Sequence, residues 1–390
     1  MVASFCFLEM RSVMTRETPR RHVHCRFGRP NHDTICGETA ATAPDTVYKP
    51  DIIIYNSHFF FLQSYLRSIM PMSDRSRGAS PLRPAFVGTP SYKPDGLSVA
   101  DHLHPVINAG RVAVITGAAS GIGKAAALEF AKIGMKVAIT DVNEEKLQEV
   151  GKGLIETLGE ANVLVIPTDV SKVEEVVHFR DRIYEAWGEV AVLMNNAGIA
   201  DRGTSWTGIE SWRKVFDVNL FGIVNVQQTF VPSMIHQENQ AMVINTGSKQ
   251  GITNPPGNAA YNASKAAVKS LTEGLSHELR ELPYSNVTAH LFIPGWTHTG
   301  ITGSDASEKP PGAWTPQETV LYMLDHIRAG EFYILCPDNE TRKEVDMLRI
   351  MWGAADIAEG RPALSRWHHQ YQALFKEFMR DGLERLDAAS

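Results

Sequence analysis

Order in this chain starts at Arg111-Val112-Ala113-Val114-Ile115-Thr116-Gly117-Ala118-Ala119-Ser120-Gly121-Ile122-Gly123-Lys124: a short apolar run, three glycines and the opening of a helical pattern. Residues 112–115 are mostly β-branched, which suits a strand buried on both faces of a parallel sheet. Residues 125–133 are rich in good helix formers. A strand, a glycine turn and a helix N-terminus together can hold a phosphate, because glycine admits close backbone approach and the free N–H groups meet the anion. The spacing Gly117-x-x-x-Gly121-x-Gly123 differs from the commonest dinucleotide fingerprint, G-x-G-x-x-G. Taken alone it can also be read as a structural turn, so its context decides.

Downstream, strands and helices alternate. Strands are expected at 135–140, 163–166, 190–194, 241–245, 287–293 and 332–335, with helices at 143–158, 171–187, 210–236, 261–282 and 316–329. Ser171 reads as an N-cap, with Glu174 completing a capping box. Pro316 fits the first turn of its helix. This rhythm predicts an α/β fold, a doubly wound parallel sheet with helices on both faces. Ligands then bind beyond the carboxyl ends of the strands, where Thr116, Asp141, Asp169, Asn195, Ser248 and Pro294 gather.

Upstream, residues 1–105 lack sustained periodicity and are punctuated by prolines from Pro19 to Pro105, so they read as a disordered N-terminal extension. The apolar runs 52–55 and 59–62 are interrupted by polar residues, which argues against a membrane span. A secretory signal fits poorly; scattered arginines from Arg11 to Arg29 leave a mitochondrial transit peptide open beside a cytoplasmic location. His22, His24, Cys25, His32 and Cys36 match no common zinc spacing, so no metal is expected. Met70 and Met72 are alternative starts just before the organised region. Residues 106–336 form the expected catalytic domain, and 337–390 a helical extension of the same unit.

Composition narrows the function classes. With 43% hydrophobic and 21% charged residues and a formal charge of −6, the chain resembles an ordinary globular protein, and neither nucleic acid nor a membrane is an expected partner. The 4 cysteines are too few for a disulfide framework and suit a reducing compartment.

Two constellations carry chemistry. Asp141 ends the second strand about twenty residues past the glycines, where a carboxylate accepts from ribose hydroxyls and repels a 2′-phosphate. Ser120 and Val142 supply no basic side chain nearby, so NAD is expected over NADP. Asp141 could instead be only a helix cap. Separately, Tyr261 and Lys265 lie four apart on one helix face. An ammonium beside a phenol favours the phenolate and would lower its pKa toward neutrality. Ser248, after a strand, could hydrogen-bond a substrate oxygen. A Tyr-x-x-x-Lys pair alone also describes a helix-surface tyrosine with a solvated lysine.

Taken jointly, Thr116-Gly117-x-x-x-Gly121-x-Gly123, Asn195-Asn196-Ala197-Gly198, Asn219, Ser248, Tyr261-x-x-x-Lys265 and Pro294-Gly295-x-x-x-Thr299 resemble the short-chain dehydrogenases/reductases over about residues 110–336. The resemblance implies a Rossmann-like fold and hydride transfer between NAD(H) and a secondary alcohol or ketone. It implies that Tyr261 is the general acid/base, that Lys265 holds the nicotinamide ribose and lowers the tyrosine pKa, that Ser248 orients the substrate oxygen, and that Asn219 keeps a water in a proton relay. By the same resemblance Gly117, Ser120, Gly121, Ile122 and Gly123 cradle the pyrophosphate, Asp141 the ribose, and Asp169 with Val170 the adenine. Asn196, Ala197 and Gly198 line the cofactor, and Pro294, Gly295 and Thr299 hold the nicotinamide. A homodimer or homotetramer is likewise implied.

Specificity is expected in residues 199–208 and in the Gly/Pro-rich lid 296–315. Trp206, Trp296 and Trp314 lie there, which suggests an apolar or aromatic substrate, although tryptophans can also seal loops. The competing readings are an NADPH-dependent ketoreductase and a catalytically silent cofactor sensor on the same fold.

Overall fold

Val112–Thr116 forms strand β1, buried at every position, and it lies inside a seven-stranded sheet of order β3-β2-β1-β4-β5-β6-β7. The computed structural model describes residues 104–201, 203–303 and 308–388; the readings made for the N-terminal residues through 103, including the histidine/cysteine cluster and the alternative starts, lie outside them. Helix α1 (Gly121–Lys132) follows β1, then β2 (Lys136–Thr140), α2 (Glu144–Leu158), β3 (Val163–Val165), α3 (Val173–Trp187) and β4 (Val192–Asn195). The second half holds α4 (Ile209–Phe216), α5 (Gly222–His236), β5 (Ala241–Thr246), a short α6 (Gln250–Thr253), α7 (Ala259–Glu281) and β6 (Val287–Ile293). The chain continues through α8 (Pro316–Arg328), β7 (Tyr333–Leu335), α9 (Lys343–Ala358) and α10 (Gln372–Asp387). Every neighbouring pair of strands is parallel.

Period-two alternation splits the core into two layers. Ala113 and Ile115 of β1 pack with Phe130 of α1, Leu147 of α2 and Met323 of α8. Val112 and Val114 point the other way, toward Phe179 of α3, Phe230 of α5 and Leu275 of α7. Phe179 and Phe230 meet edge-on, with ring centroids 5.9 Å apart. Helices on both faces leave the strands apolar throughout, which is why they read as continuous hydrophobic runs.

One polar seam crosses this core. Asn195 of β4 and Asn245 of β5 are register partners. Asn195 Nδ2 donates to Asn245 Oδ1 at 2.8 Å, and Asn245 Nδ2 donates to Thr272 Oγ1 of α7 at 3.0 Å. A slipped register would strand buried amides, so the seam fixes α7 against the sheet.

The expected elements are present with small shifts at their ends, and two differences have physical causes. The α3 cap is not the Ser171/Glu174 box. The helix begins at Val173; Asp169 Oδ1 accepts from Ser171 N and Oγ, and Glu175 Oε2 accepts from Asp169 N at 2.7 Å. Lys172 is the N-cap and makes no side-chain cap hydrogen bond, and Ser171 lies outside the helix end, held by Asp169. The long helix expected over 210–236 is interrupted by a π turn at Asp217–Phe221, a one-residue excess of the kind that often marks functional positions. A capping box does form at α8, where Thr315 Oγ1 accepts from Glu318 N and Glu318 Oε2 accepts from Thr315 N.

Beyond β7, α9 and α10 pack on each other through Trp352, whose ring lies 5.3 Å from Phe375 and 5.2 Å from Phe378. Trp352 Nε1 donates to Ser365 Oγ at 2.8 Å, and Ser365 Oγ donates to Asp356 Oδ1. Among the described residues no helix is long and apolar enough to cross a membrane.

Candidate active site

A cleft of about 1610 Å³ opens at the carboxyl ends of the strands. It is lined by Gly117, Ser120, Ile122, Asp141, Asp169, Val170, Asn196, Ala197, Gly198, Ser248, Tyr261, Lys265, Pro294, Gly295 and Thr299. Of the residues singled out from sequence, Gly121, Gly123 and Asn219 lie behind this lining rather than in it, within the turn and the π turn.

The floor is the turn after β1. Gly117 has φ +65°, and a Cβ there would sit 2.7 Å from Ala197 Cα. At Gly123 the Cβ would fall 2.2 Å from Gly117 O. No side chain fits at either position, so the glycines are required by packing as well as by any ligand. The β4 loop is stitched onto this turn: Thr116 Oγ1 accepts from Asn196 N at 2.9 Å and Ala197 N at 3.0 Å, and Asn196 Nδ2 donates to the carbonyls of Thr116 and Gly117, both at 3.2 Å. The cap of α2 is Asn143, whose side chain accepts from Lys146 N, and Asp141 does other work. Its Oδ1 accepts from Asn143 N at 2.9 Å, and its Oδ2 accepts from Ala119 N at 3.1 Å, which fixes the carboxylate to the glycine turn. Two oxygens with about four acceptor sites leave capacity for further donors.

Across the cleft, α7 presents Tyr261 and Lys265. Lys265 is buried, and its Nζ donates to Thr246 O at 2.8 Å. Burial pulls its pKa down to about 8. Its Nζ stands 5.8 Å from the Tyr261 ring centroid. Burial pushes the Tyr261 phenol above its ordinary value, and the hydrogen-bonded Ser248 hydroxyl acts in the opposite direction. The net direction is thus opposite to the lowering expected from lysine alone, because the phenol is desolvated while the ammonium is engaged by Thr246. Ser248 Oγ also accepts from Gln250 N at 3.1 Å.

Asn219 is fully buried. Its Oδ1 accepts from Ile199 N at 2.8 Å, and its Nδ2 donates to Ile199 O at 2.9 Å and to Ser264 Oγ at 3.1 Å. The amide therefore clamps the loop after β4 to the turn of α7 that carries Tyr261. A Cβ at Gly198 would lie 3.5 Å from Lys265 Nζ and 3.4 Å from Asn219 Oδ1.

The specificity segments differ from the sequence reading. Trp296 lines the cleft, but Trp206 and Trp314 are not part of its lining. Trp206 is 83% exposed, and Trp314 donates its Nε1 to Asn339 Oδ1 at 3.0 Å while packing on Tyr322. Gln250 and Asn258, neither singled out from sequence, line the cleft, and each has a buried side-chain oxygen without a hydrogen-bond partner among the described residues. Lys249 and Asp338 also line it. No sequence motif joins these two, since their contact spans 89 residues.

With this geometry in view, the comparisons with known proteins agree. A family model described as short chain dehydrogenase matches residues 111–310. The 3-oxoacyl-(acyl-carrier-protein) reductase FabG of Thermotoga maritima is 38% identical over 224 residues, 57% of this chain and 85% of that protein. A short chain dehydrogenase/reductase from Burkholderia phymatum, solved in complex with NAD, is 32% identical with TM-score 0.59, covering 66% of this chain and 97% of its own. A 3-ketoacyl-(acyl-carrier-protein) reductase from Brucella melitensis, complexed with NADH, is 26% identical with TM-score 0.50, covering 55% of this chain and 90% of its own. The chain belongs to the short-chain dehydrogenase/reductase family. It is an oxidoreductase that uses a nicotinamide dinucleotide and acts on a small molecule.

Proposed function

We propose that this enzyme transfers a hydride between NAD(H) and a secondary alcohol or ketone, with Tyr261 as general acid/base. The observation that carries the reading is the grouping of Ser248, Tyr261 and Lys265 in one cleft with the glycine turn. The dinucleotide fits the residues present: Gly117 and Gly123 make a cradle that a Cβ would fill, and α1 directs its N-terminal N–H groups there. Gly117, Ser120, Gly121, Ile122 and Gly123 would hold the pyrophosphate, Asp141 the ribose, Asp169 and Val170 the adenine. Asn196, Ala197, Gly198, Pro294, Gly295 and Thr299 would border the nicotinamide end. When bound, the dinucleotide supplies the acceptor for hydride from the carbinol carbon, or the donor in reverse.

The protein's part is proton handling. As phenolate, Tyr261 takes the alcohol's hydroxyl proton while the C–O bond becomes a carbonyl; as phenol, it returns that proton to a ketone oxygen. Ser248 donates to the same substrate oxygen and holds it within reach of the ring. The Lys265 ammonium favours the phenolate and offers donors to a ribose. Asn219 keeps the loop after β4 and α7 at a fixed separation, next to a proton path behind the lysine. Gln250 and Asn258 offer acceptors in the cleft wall, which favours a substrate with a further hydroxyl over a purely aromatic one. Its Thermotoga relative is named as a reductase, so ketone reduction belongs in the screen.

NAD is preferred over NADP because Asp141 occupies the ribose position and would repel a 2′-phosphate. The assembly we propose is a homodimer or homotetramer, to be read by light scattering after gel filtration. The deciding experiment is titration with NADH and NADPH followed by tryptophan quenching, on the wild type and on Asp141→Ala. Tighter NADH binding by the wild type, with the preference lost in Asp141→Ala by about tenfold, is the expected result. Preference of the wild type for NADPH would reject the Asp141 assignment and favour the ketoreductase reading. Tight binding with no turnover on a broad alcohol and ketone panel would favour the sensor.

A further inference from the structure

Lys249 directly follows Ser248, yet its partners come from the far end of the chain. Its Nζ lies 3.1 Å from Asp338 Oδ2 and 2.5 Å from Asp346 Oδ2. Both carboxylate side chains are almost wholly buried, at 6% and 3% exposure, against 16% for the lysine. Each carboxylate has other work. Asp338 Oδ2 also accepts from Trp296 N at 3.1 Å, and Asp338 Oδ1 accepts from Thr341 N at 2.8 Å. Asp346 Oδ1 accepts from Arg349 Nη1 at 3.2 Å. Burial raises the Asp338 carboxyl, but the Trp296 N–H and the Lys249 ammonium more than reverse this and hold it below its ordinary value.

The main chain of Lys249 is equally committed. Its carbonyl accepts from Ile252 N at 3.1 Å and Thr253 N at 2.9 Å, which winds α6. That turn rests on α7 at Lys265: a Cβ at Gly251 would sit 2.4 Å from Lys265 C. The same turn sets the Ser248 hydroxyl through the Gln250 N–H. The side chain of Lys249 thus ties the serine turn to the segment after β7 and, through Asp338, to the start of the lid at Trp296.

We infer that Lys249 is a positioning residue: clamped by Asp338 and Asp346, it holds the Ser248 turn at its working distance from Tyr261 and makes the C-terminal extension part of the active site. The inference rests on the proposed function, since it presumes that Ser248 orients a substrate oxygen. A buried ion pair whose carboxylates are also hydrogen-bonded contributes geometry more than net stability, whereas removing Lys249 leaves Asp346 its Arg349 partner but takes the counter-charge from buried Asp338. Misplacement of a catalytic group by about 1 Å costs up to roughly a hundredfold in rate.

The test uses the full chain as wild type, Lys249→Met, Lys249→Arg and the double variant Lys249→Met/Asp338→Asn. Three readouts are compared: kcat on the alcohol that the wild type oxidises, NADH affinity by tryptophan quenching, and amide hydrogen exchange over 247–253. Lys249→Met should lose about ten- to a hundredfold in kcat, keep NADH affinity within about twofold and exchange faster over 247–253, and Lys249→Arg should recover most of the rate. Should Lys249→Met fail to fold because buried Asp338 is stranded, while Asp346 keeps Arg349, the double variant removes that unpaired charge as well and is expected to show the same loss. Wild-type kcat with unchanged exchange in a folded variant would overturn the inference, as would a defect confined to NADH affinity. Exchange needs no substrate, so a wild type that oxidises nothing would sink the functional reading alone, and the anchoring would still be judged by exchange.

Discussion

Around Gly117 and Gly123 the cleft is made of main chain, and the atoms that meet there come from the ends of two adjacent strands, β1 and β4. Around Ser248 it is held by charged side chains whose partners, Asp338 and Asp346, come from beyond β7. The first region needs glycine because neighbouring backbone fills the space of a Cβ. In the second the turn already rests on α7 at Gly251, and charge adds the tie to the segment beyond β7. A site can therefore be half sterically and half electrostatically defined, and the halves should fail differently.

The sharpest way to separate them is Tyr261→Phe. Removing the phenol oxygen should lower kcat by about a hundred- to ten-thousandfold, with NADH affinity kept, as steady-state rates and quenching titrations would read. Comparable loss of NADH binding would mean that the two regions are not separable. The converse variant, Gly123→Ala, forces a Cβ against Gly117 O; it should weaken both NADH binding and folding by about 1–3 kcal/mol, seen as a lower Tm and a weaker titration. If this alanine is silent, the cradle is looser than its geometry implies.

A pH profile sharpens the second region. On the proposed mechanism alcohol oxidation needs the Tyr261 phenolate, so kcat/KM should rise with pH, and ketone reduction, which needs the phenol, should fall. The Lys265 ammonium, with its pKa near 8, favours the phenolate only while it is protonated. Lys265→Met should therefore cost about tenfold in oxidation at neutral pH, where the ammonium is present, and little well above pH 8, where the wild-type lysine is itself neutral. An unmoved profile would remove the lysine from proton handling. The smallest effect is expected furthest from the cleft: Ser365→Ala takes away the hydroxyl shared by Trp352 and Asp356 and should cost about 1 kcal/mol, visible in Tm with NADH affinity unchanged.

The same contrast explains what could be read in advance. The strands, their order of appearance and the glycine turn are encoded locally, by β-branched runs and by Gly117, Gly121 and Gly123 a few residues apart. Tyr261 and Lys265 were legible because one helix carries both. Ser171 misled because the turn held by Asp169 delays the helix to Val173, and sequence does not say how far such a turn runs. The π turn at Asp217–Phe221 left no periodic trace, since one extra residue hardly disturbs a helical pattern. Trp206 and Trp314 were placed in the right loops, but whether a loop residue enters a cleft depends on contacts made elsewhere. Lys249 carried no motif at all: a lysine after a serine reads as a solvated charge until Asp338 and Asp346 arrive.

That arrival has an order. The chain is made from its N-terminus, and domains assemble as segments become available. The glycine cradle is complete once β4 has emerged, whereas Asp346 is among the last buried side chains to be synthesised. A nascent chain ending before residue 346 would hold both the glycine turn and the serine turn while the latter still lacks part of its clamp. A ribosome-stalled series ending before and after residue 346 would display that interval directly.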